Sequence, residues 1–169
     1  MTSDLTSAPV PPLRADDHVR GPAGAPLLIV YADFTCPRCA LTVARVSGAR
    51  LQVCFRHFAL ASRDRRALPA ALAAEAAALQ GAFWPFHDAL YADQGRLDDP
   101  HLWARCERLG LDMERFEADR RAPAATERVT RDVRDAMRAG AATTPALVLP
   151  DGRLHQGPPD QALLAEISA

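Results

Sequence analysis

The chain contains no lysine and no asparagine, so all 20 of its basic residues are arginine, while alanine occurs 34 times. This is first a compositional bias, and it weakens any inference from the mere presence of an arginine. Net charge is also lacking: 20 basic residues against 21 acidic ones leave −1 at pH 7, which gives a nucleic-acid or polyanion partner no electrostatic footing. Cysteine is scarce. Four in 169 residues are too few for a disulfide-rich secreted scaffold. No long hydrophobic run exists either: the longest strongly apolar stretch, residues 27–31, is far too short to cross a bilayer. The first 26 residues show no basic stretch followed by an apolar core, hence no secretory leader. The chain therefore reads as soluble and cytoplasmic, or as exported if the true start lies upstream. No internal repeat, metal site or dissociable cofactor is expected.

What is present suits one domain with a real hydrophobic core. Prolines at positions 9, 11, 12 and 22 mark residues 1–24 as a mobile or loosely docked extension, leaving residues 25–169 as the domain. Residues 27–33 are a strand-like apolar run opened by Pro26. A helix follows over residues 36–46, with Cys36 at its N-cap, Pro37 in its first turn and Gly48 as its stop. Residues 51–58 form a second strand-like run, completing a βαβ unit with parallel strands and a right-handed crossover.

Residues from about 66 to 139 read as helical throughout, interrupted by stop signals that include Gly81, Gly110 and Gly140. The stretch holds an alanine-rich helix over 68–79 with a single glutamate, and an aromatic segment carrying Phe83, Trp84, Phe86 and Tyr91. A helix is announced by Asp98-Asp99-Pro100, and an amphipathic one spans residues 125–139. After Thr144-Pro145 the chain returns to strand over 146–149, turns at Pro150-Asp151-Gly152, pairs back over 153–156 and ends in a helix. The order is α/β: a βαβ half, a helical insertion and a ββα half.

Chemistry starts at Cys36 and Cys39, a C-x-x-C pair at the start of a helix. Placement at the positive end of a helix dipole favours a thiolate on the first sulfur, as do the free N–H groups of the first turn and the Arg38 charge. The dipole contributes roughly 0.3–1 kcal/mol, which lowers a thiol pKa by up to about one unit. Cys39, one turn further, should be sheltered and keep its proton. An exposed nucleophile beside a sheltered resolving thiol is what thiol–disulfide exchange requires.

The segment Tyr-Ala-Asp-Phe-Thr-Cys-Pro-Arg-Cys (31–39), preceded by Gly-Pro-Ala-Gly-Ala-Pro (21–26), resembles the DsbA-like branch of the thioredoxin superfamily. So do Phe-Arg-His-Phe (55–58), Gln-Gly-Ala-Phe-Trp-Pro-Phe-His-Asp (80–88), Leu-Gly-Leu-Asp-Met-Glu-Arg-Phe (109–116) and Thr-Thr-Pro-Ala-Leu-Val-Leu (143–149). The resemblance runs from about residue 18 to the C-terminus. It implies a thioredoxin fold with a helical insertion, Cys36 as the attacking cysteine, Cys39 as the resolving one and Pro145 as a cis-proline facing them. Pro37, Arg38 and Thr144 would support the site, with the Thr144 backbone pairing with an extended substrate segment. Implied partners are protein or peptide dithiols and disulfides, and a redox partner that resets the pair. The chain departs from its relatives at Ala32 and Thr35, in Phe58-Ala59-Leu60 where they carry Phe-Pro-Leu, and in the Pro-Arg dipeptide. These changes leave oxidase, isomerase and reductase directions open; Arg38 argues weakly for the oxidising side.

Other readings compete. Cys36, Cys39, Cys54 and His57 have the spacing C-x2-C-x14-C-x2-H, near that of a structural zinc site, yet positions 54 and 57 on one strand should face opposite ways. A non-catalytic module gripping peptides with the Pro145 loop is a further alternative. Cys54 reads as a buried small hydrophobe, and Cys106 as structural or half-exposed. A Cys54–Cys106 disulfide is disfavoured by a reducing cytosol. His57 and His87 read as packing histidines. Asp33 reads as a solvated strand-end charge, with proton acceptor for Cys39 as the alternative.

Overall fold

The computed structural model describes residues 12–169. Within them a five-stranded sheet, ordered β1-β3-β2-β4-β5, carries helices on both faces. Its strands are β1 (His18–Arg20), β2 (Leu27–Ala32), β3 (Gln52–His57), β4 (Ala146–Val148) and β5 (Leu154–Gln156). The pairing of β2 with β3 is parallel, and the other three pairings are antiparallel. Helix α1 (Pro37–Val46) crosses over between β2 and β3, as the βαβ reading requires. The insertion holds α2 (Ala67–Ala78), α3 (Phe83–Ala92), α4 (Asp99–Arg108), α5 (Met113–Arg121) and α6 (Pro123–Arg138). Helix α7 (Gln161–Ile167) follows the β4–β5 hairpin.

The central strand shows why the fold needs both layers. Leu28, Val30 and Ala32 face a cluster that includes Cys39, Phe55 and Phe86, whereas Ile29 and Tyr31 face a second cluster with Cys54, Phe58 and Ala136. Period-two alternation with apolar residues on both faces is the pattern of a strand covered on both sides. Eight of the twelve residues of α2 are buried, seven of them alanines. Their small side chains let neighbouring elements approach closely.

The expected loose extension needs correction. Residues 1–11 lie outside the described residues, but the stretch from 12 to 24 is docked and supplies β1, which pairs with β3 in the register His18↔Phe55. What holds it is charge. Asp17 receives Nε and Nη2 of the fully buried Arg56 at 3.1 and 2.7 Å, and Arg14 reaches Asp132 on α6 at 2.7 Å. Prolines signalled irregular backbone, not freedom. Gly21 closes the segment with φ of +113°, where a Cβ would lie 2.2 Å from the Leu51 carbonyl oxygen, so glycine alone fits the turn into β2.

Candidate active site

Strand β2 ends at Ala32, and the chain turns through Asp33, Phe34 and Thr35 before α1 begins. Cys36 is the N-cap of that helix, in extended backbone, with Pro37 in the first turn. Its sulfur is half-buried and lies against the loop before β4. As a thiol it donates to the Thr144 carbonyl oxygen at 3.5 Å. Its pKa falls to about 5: the Cys39 thiol donates to the Cys36 sulfur, and the Thr144 side chain and the N–H groups of Cys39 and Arg38 add to this against the opposing effect of burial. The charge expected from Arg38 is thus not among the leading contributions, but its backbone is. The exposed Arg38 side chain instead folds over Gly157, where an added Cβ would meet Nη2 at 2.5 Å.

Cys39 is fully buried. Burial pushes its thiol far up, and a thiolate on Cys36 adds to that, so the proton stays on the second sulfur. The Asp33 N–H donates to Cys39 Sγ at 3.5 Å. All four cysteines are free thiols. The two sulfurs therefore have opposite acidities, the asymmetry that exchange chemistry needs. The Thr144–Pro145 peptide bond is cis, and both residues are buried against the Cys36 side of the site.

Asp33 is not a solvated charge. It is 4% exposed, and burial raises its carboxyl pKa against the hydrogen bonds donated by the Thr35 N–H and hydroxyl. A strand-end aspartate is shielded here because the insertion closes over it. From that insertion, the Tyr91 hydroxyl donates to the Asp33 carbonyl oxygen at 3.2 Å. Gln94 Nε2 donates to the carbonyls of Phe34 and Cys36 at 2.8 and 2.9 Å. No local spacing links position 94 to the cysteines, so Gln94 escaped the sequence. Its replacement by alanine removes the side-chain donor from the Phe34 carbonyl, while the Cys36 carbonyl keeps the N–H groups of Cys39 and Ala40. The expected loss is roughly 1–3 kcal/mol in denaturant unfolding, with faster amide exchange across residues 34–40.

The remaining candidates separate. Cys54 lies in the cluster on the opposite sheet face from Cys39, and burial pushes its thiol up to about 12. Cys106 is fully buried, not half-exposed, and shares the Cys39 side of the core; burial pushes it up to about 11. A bridge between Cys54 and Cys106 is not formed. His57 Nε2 bonds Glu75 at 2.7 Å, and His87 Nδ1 bonds Asp88 at 2.8 Å, both from packed positions. The four residues of the zinc spacing are not brought together. Among the described residues, the group of metal-ligating side chains that does converge is His18, His57 and Glu75.

Comparison with known proteins places this geometry. A family model described as thioredoxin matches residues 14–167. A thioredoxin-like oxidoreductase from Silicibacter pomeroyi matches with TM-score 0.82 and 26% identity over 91% of each chain. Pseudomonas aeruginosa DsbA2 matches with TM-score 0.72 and 26% identity, over 93% of this chain and 94% of that one. Wolbachia pipientis alpha-DsbA1, at 21% identity and TM-score 0.74 over 93% and 92% of the two chains, speaks to the fold alone. Among curated proteins, the Na(+)/H(+) antiporter NhaA 3 of Salinispora tropica is 43% identical over 159 residues, which are 89% of this chain and 24% of that protein. The Na(+)/H(+) antiporter NhaA of Herminiimonas arsenicoxydans is 39% identical over 162 residues, 91% of this chain and 26% of that protein. The chain thus spans about a quarter of the length of the curated relatives it matches. Among the described residues, no helix is long and apolar enough to cross a membrane.

Proposed function

The chain belongs to the thioredoxin family, in its DsbA-like branch, and from that premise we propose that it is a thiol–disulfide oxidoreductase acting on protein or peptide substrates through Cys36 and Cys39. The observation that carries the reading is the pairing of a half-buried Cys36 whose pKa is held to about 5 with a buried, protonated Cys39. At neutral pH Cys36 is then ionised by about a hundredfold excess over its thiol form.

The Cys36 thiolate attacks one sulfur of a substrate disulfide. A Cys36–substrate S–S bond forms, and the other substrate sulfur leaves as a thiolate. Cys39 then gives up its proton, attacks Cys36 Sγ and expels the second substrate thiolate. The substrate gains two electrons, and the pair becomes a disulfide. Run backwards, the same steps oxidise a dithiol. Both directions use sulfur and protons alone, so the reading requires no dissociable cofactor, only a redox partner to reset the pair.

Asp33 takes the Cys39 proton in this scheme. It is a buried carboxyl with a raised pKa, near enough to Cys39 for its charge to push that thiol further up. Asp33→Asn is expected to slow the resolving step at neutral pH by at least about a hundredfold. The initial attack, followed by alkylation of Cys36 with iodoacetamide, should stay within about threefold. Equal slowing of both steps would assign Asp33 a merely structural role.

Strong stabilisation of the thiolate stabilises the dithiol form, which makes the pair an oxidant relative to thioredoxin-like pairs. In any compartment buffered by glutathione, the thiol pool would keep such a pair reduced, poised to reduce or reshuffle substrate disulfides. The ion transport named for the curated relatives is not proposed for this chain, which matches only a quarter of them.

A further inference from the structure

We propose that His18, His57 and Glu75 form a site for one divalent transition-metal ion of the zinc class, behind the redox loop and separate from it. The three ligand atoms, one from each side chain, lie within 4.8 Å of one another. An ion at about 2.0–2.2 Å from each ligand would replace the two hydrogen bonds, opening the Nε2–Oε1 separations of 2.8 and 2.7 Å to about 3.4 Å. Two imidazoles and one carboxylate form a donor set that suits zinc and its neighbours, and the three-ligand arrangement leaves a position for water.

The fold prepares each ligand. His18 on β1 pairs with Phe55 on β3, so His57, two residues further along β3, is its diagonal neighbour on the same sheet face. His18 stacks on Phe83 with ring centroids 3.5 Å apart and planes 8° from parallel. His57 stands edge-on to Phe55 at 5.3 Å and to Phe34 at 6.0 Å. Both rings aim Nε2 at the same oxygen, Glu75 Oε1, at 2.8 and 2.7 Å. His57 Nε2 carries the proton it donates to the Glu75 carboxylate, and His57 Nδ1 is buried without a partner. Metal binding must displace the Nε2 proton, onto Nδ1 or to water.

Glu75 is the single charged residue in α2 and sits in its buried, alanine-rich face. Its Oε1 accepts hydrogen bonds from Nε2 of both His18 and His57. A charged residue in a helix of alanines needs a partner to compensate its desolvation. Arg128 Nε supplies part of that at 3.7 Å, yet Arg128 is itself paired with Asp16 at 2.9 Å. Asp16 is paired with Arg131 as well, at 2.6 Å, and the charged groups lining the adjacent cavity, Asp16, Glu75 and Glu127 against Arg128 and Arg131, leave one negative charge. A cavity of about 430 Å³, walled by Asp16, Glu75, Leu79 and Arg128, opens beside the carboxylate and gives an ion and its water a way in.

The test uses tag-free, full-length protein with the Cys36–Cys39 disulfide formed, so that the redox thiols cannot take the metal. Titration with zinc chloride in a calorimeter is expected to show one saturable equivalent. His18→Ala and Glu75→Gln should each weaken that binding at least about tenfold. No saturable binding, or binding that both substitutions leave unchanged, would overturn the site. If the variants fail to fold, cobalt(II) on the unaltered oxidised protein decides. Intense visible bands of a four- or five-coordinate nitrogen–oxygen site, without thiolate charge transfer, support it. The weak spectrum of the hexa-aqua ion contradicts it. Because the disulfide form is used, failure of the metal site leaves the exchange reading untouched, and failure of exchange leaves the metal result standing.

Discussion

Replacing Cys36 by serine is expected to reduce both insulin reduction and dithiol oxidation to background, while Cys39→Ser should trap the protein as mixed disulfides with its substrates. The two outcomes differ because the two sulfurs do different work. Cys36 is the half-buried, ionised sulfur, and a serine hydroxyl at that N-cap cannot attack a disulfide at neutral pH. Cys39 is buried and protonated, so its loss spares the first attack and removes only the step that releases product. Non-reducing gels and intact mass distinguish the variants: a substrate-sized adduct on Cys39→Ser, none on Cys36→Ser. Activity retained by Cys36→Ser would remove the catalytic assignment and leave a peptide-binding module as the better reading.

The largest expected stability effect lies far from the sulfurs, at Asp17. Its carboxylate takes two hydrogen bonds from Arg56, and both side chains are fully buried. Arg56 also donates to the Tyr31 hydroxyl at 3.0 Å and the Pro12 carbonyl at 2.8 Å. Asp17→Ala removes a buried carboxylate that takes two hydrogen bonds from the Arg56 guanidinium, at a loss of roughly 3–5 kcal/mol. The melting temperature should fall by on the order of ten degrees. The pH dependence has a definite sign. Burial raises the Asp17 pKa, but Arg56 and the Arg14 N–H outweigh it, and the folded value lies below the ordinary 3.8. The unfolded chain thus binds more protons in that window. The contribution of Asp17 is complete above its unfolded pKa and is lost as pH falls through the folded one. The alanine variant should therefore lose less stability than the parent on acidification below about pH 4.

Why some features were legible and others not follows from how local their causes are. The C-x-x-C, the proline after its first cysteine, and Gly48 act within one turn of helix, so α1 and its N-cap could be read directly. The βαβ–insertion–ββα order came from apolar runs and glycine stops, which are local as well. Where each element packs is another matter. Nothing near residues 12–20 announces that Arg56 and α6 bind them, so proline content pointed to a loose tail where a strand forms. Asp33 looked solvated because its neighbours in sequence do not bury it; Tyr91 and Gln94 of the insertion close over its loop. Cys106 is buried by the helices of the insertion on the same grounds. Arg38 drew attention by standing between the sulfurs, yet its side chain extends to Gly157, more than a hundred residues on. Glu75 was visible only as one acid in an alanine run, since its partners come from β1 and β3.

Exchange chemistry at this site depends on the ionisation of Cys36. Its folded pKa lies below that of an unfolded thiol, so the reduced protein should gain stability as pH rises from about 5 towards 9. The disulfide form, lacking that group, should show no such gain. The direct measurement is the pH dependence of thiolate ultraviolet absorbance, with iodoacetamide reactivity of Cys36 as the parallel readout. A single transition centred near pH 5 in the reduced protein, absent in Cys36→Ser, is the predicted result. A transition at about 8.5, the value of an ordinary thiol, would contradict it.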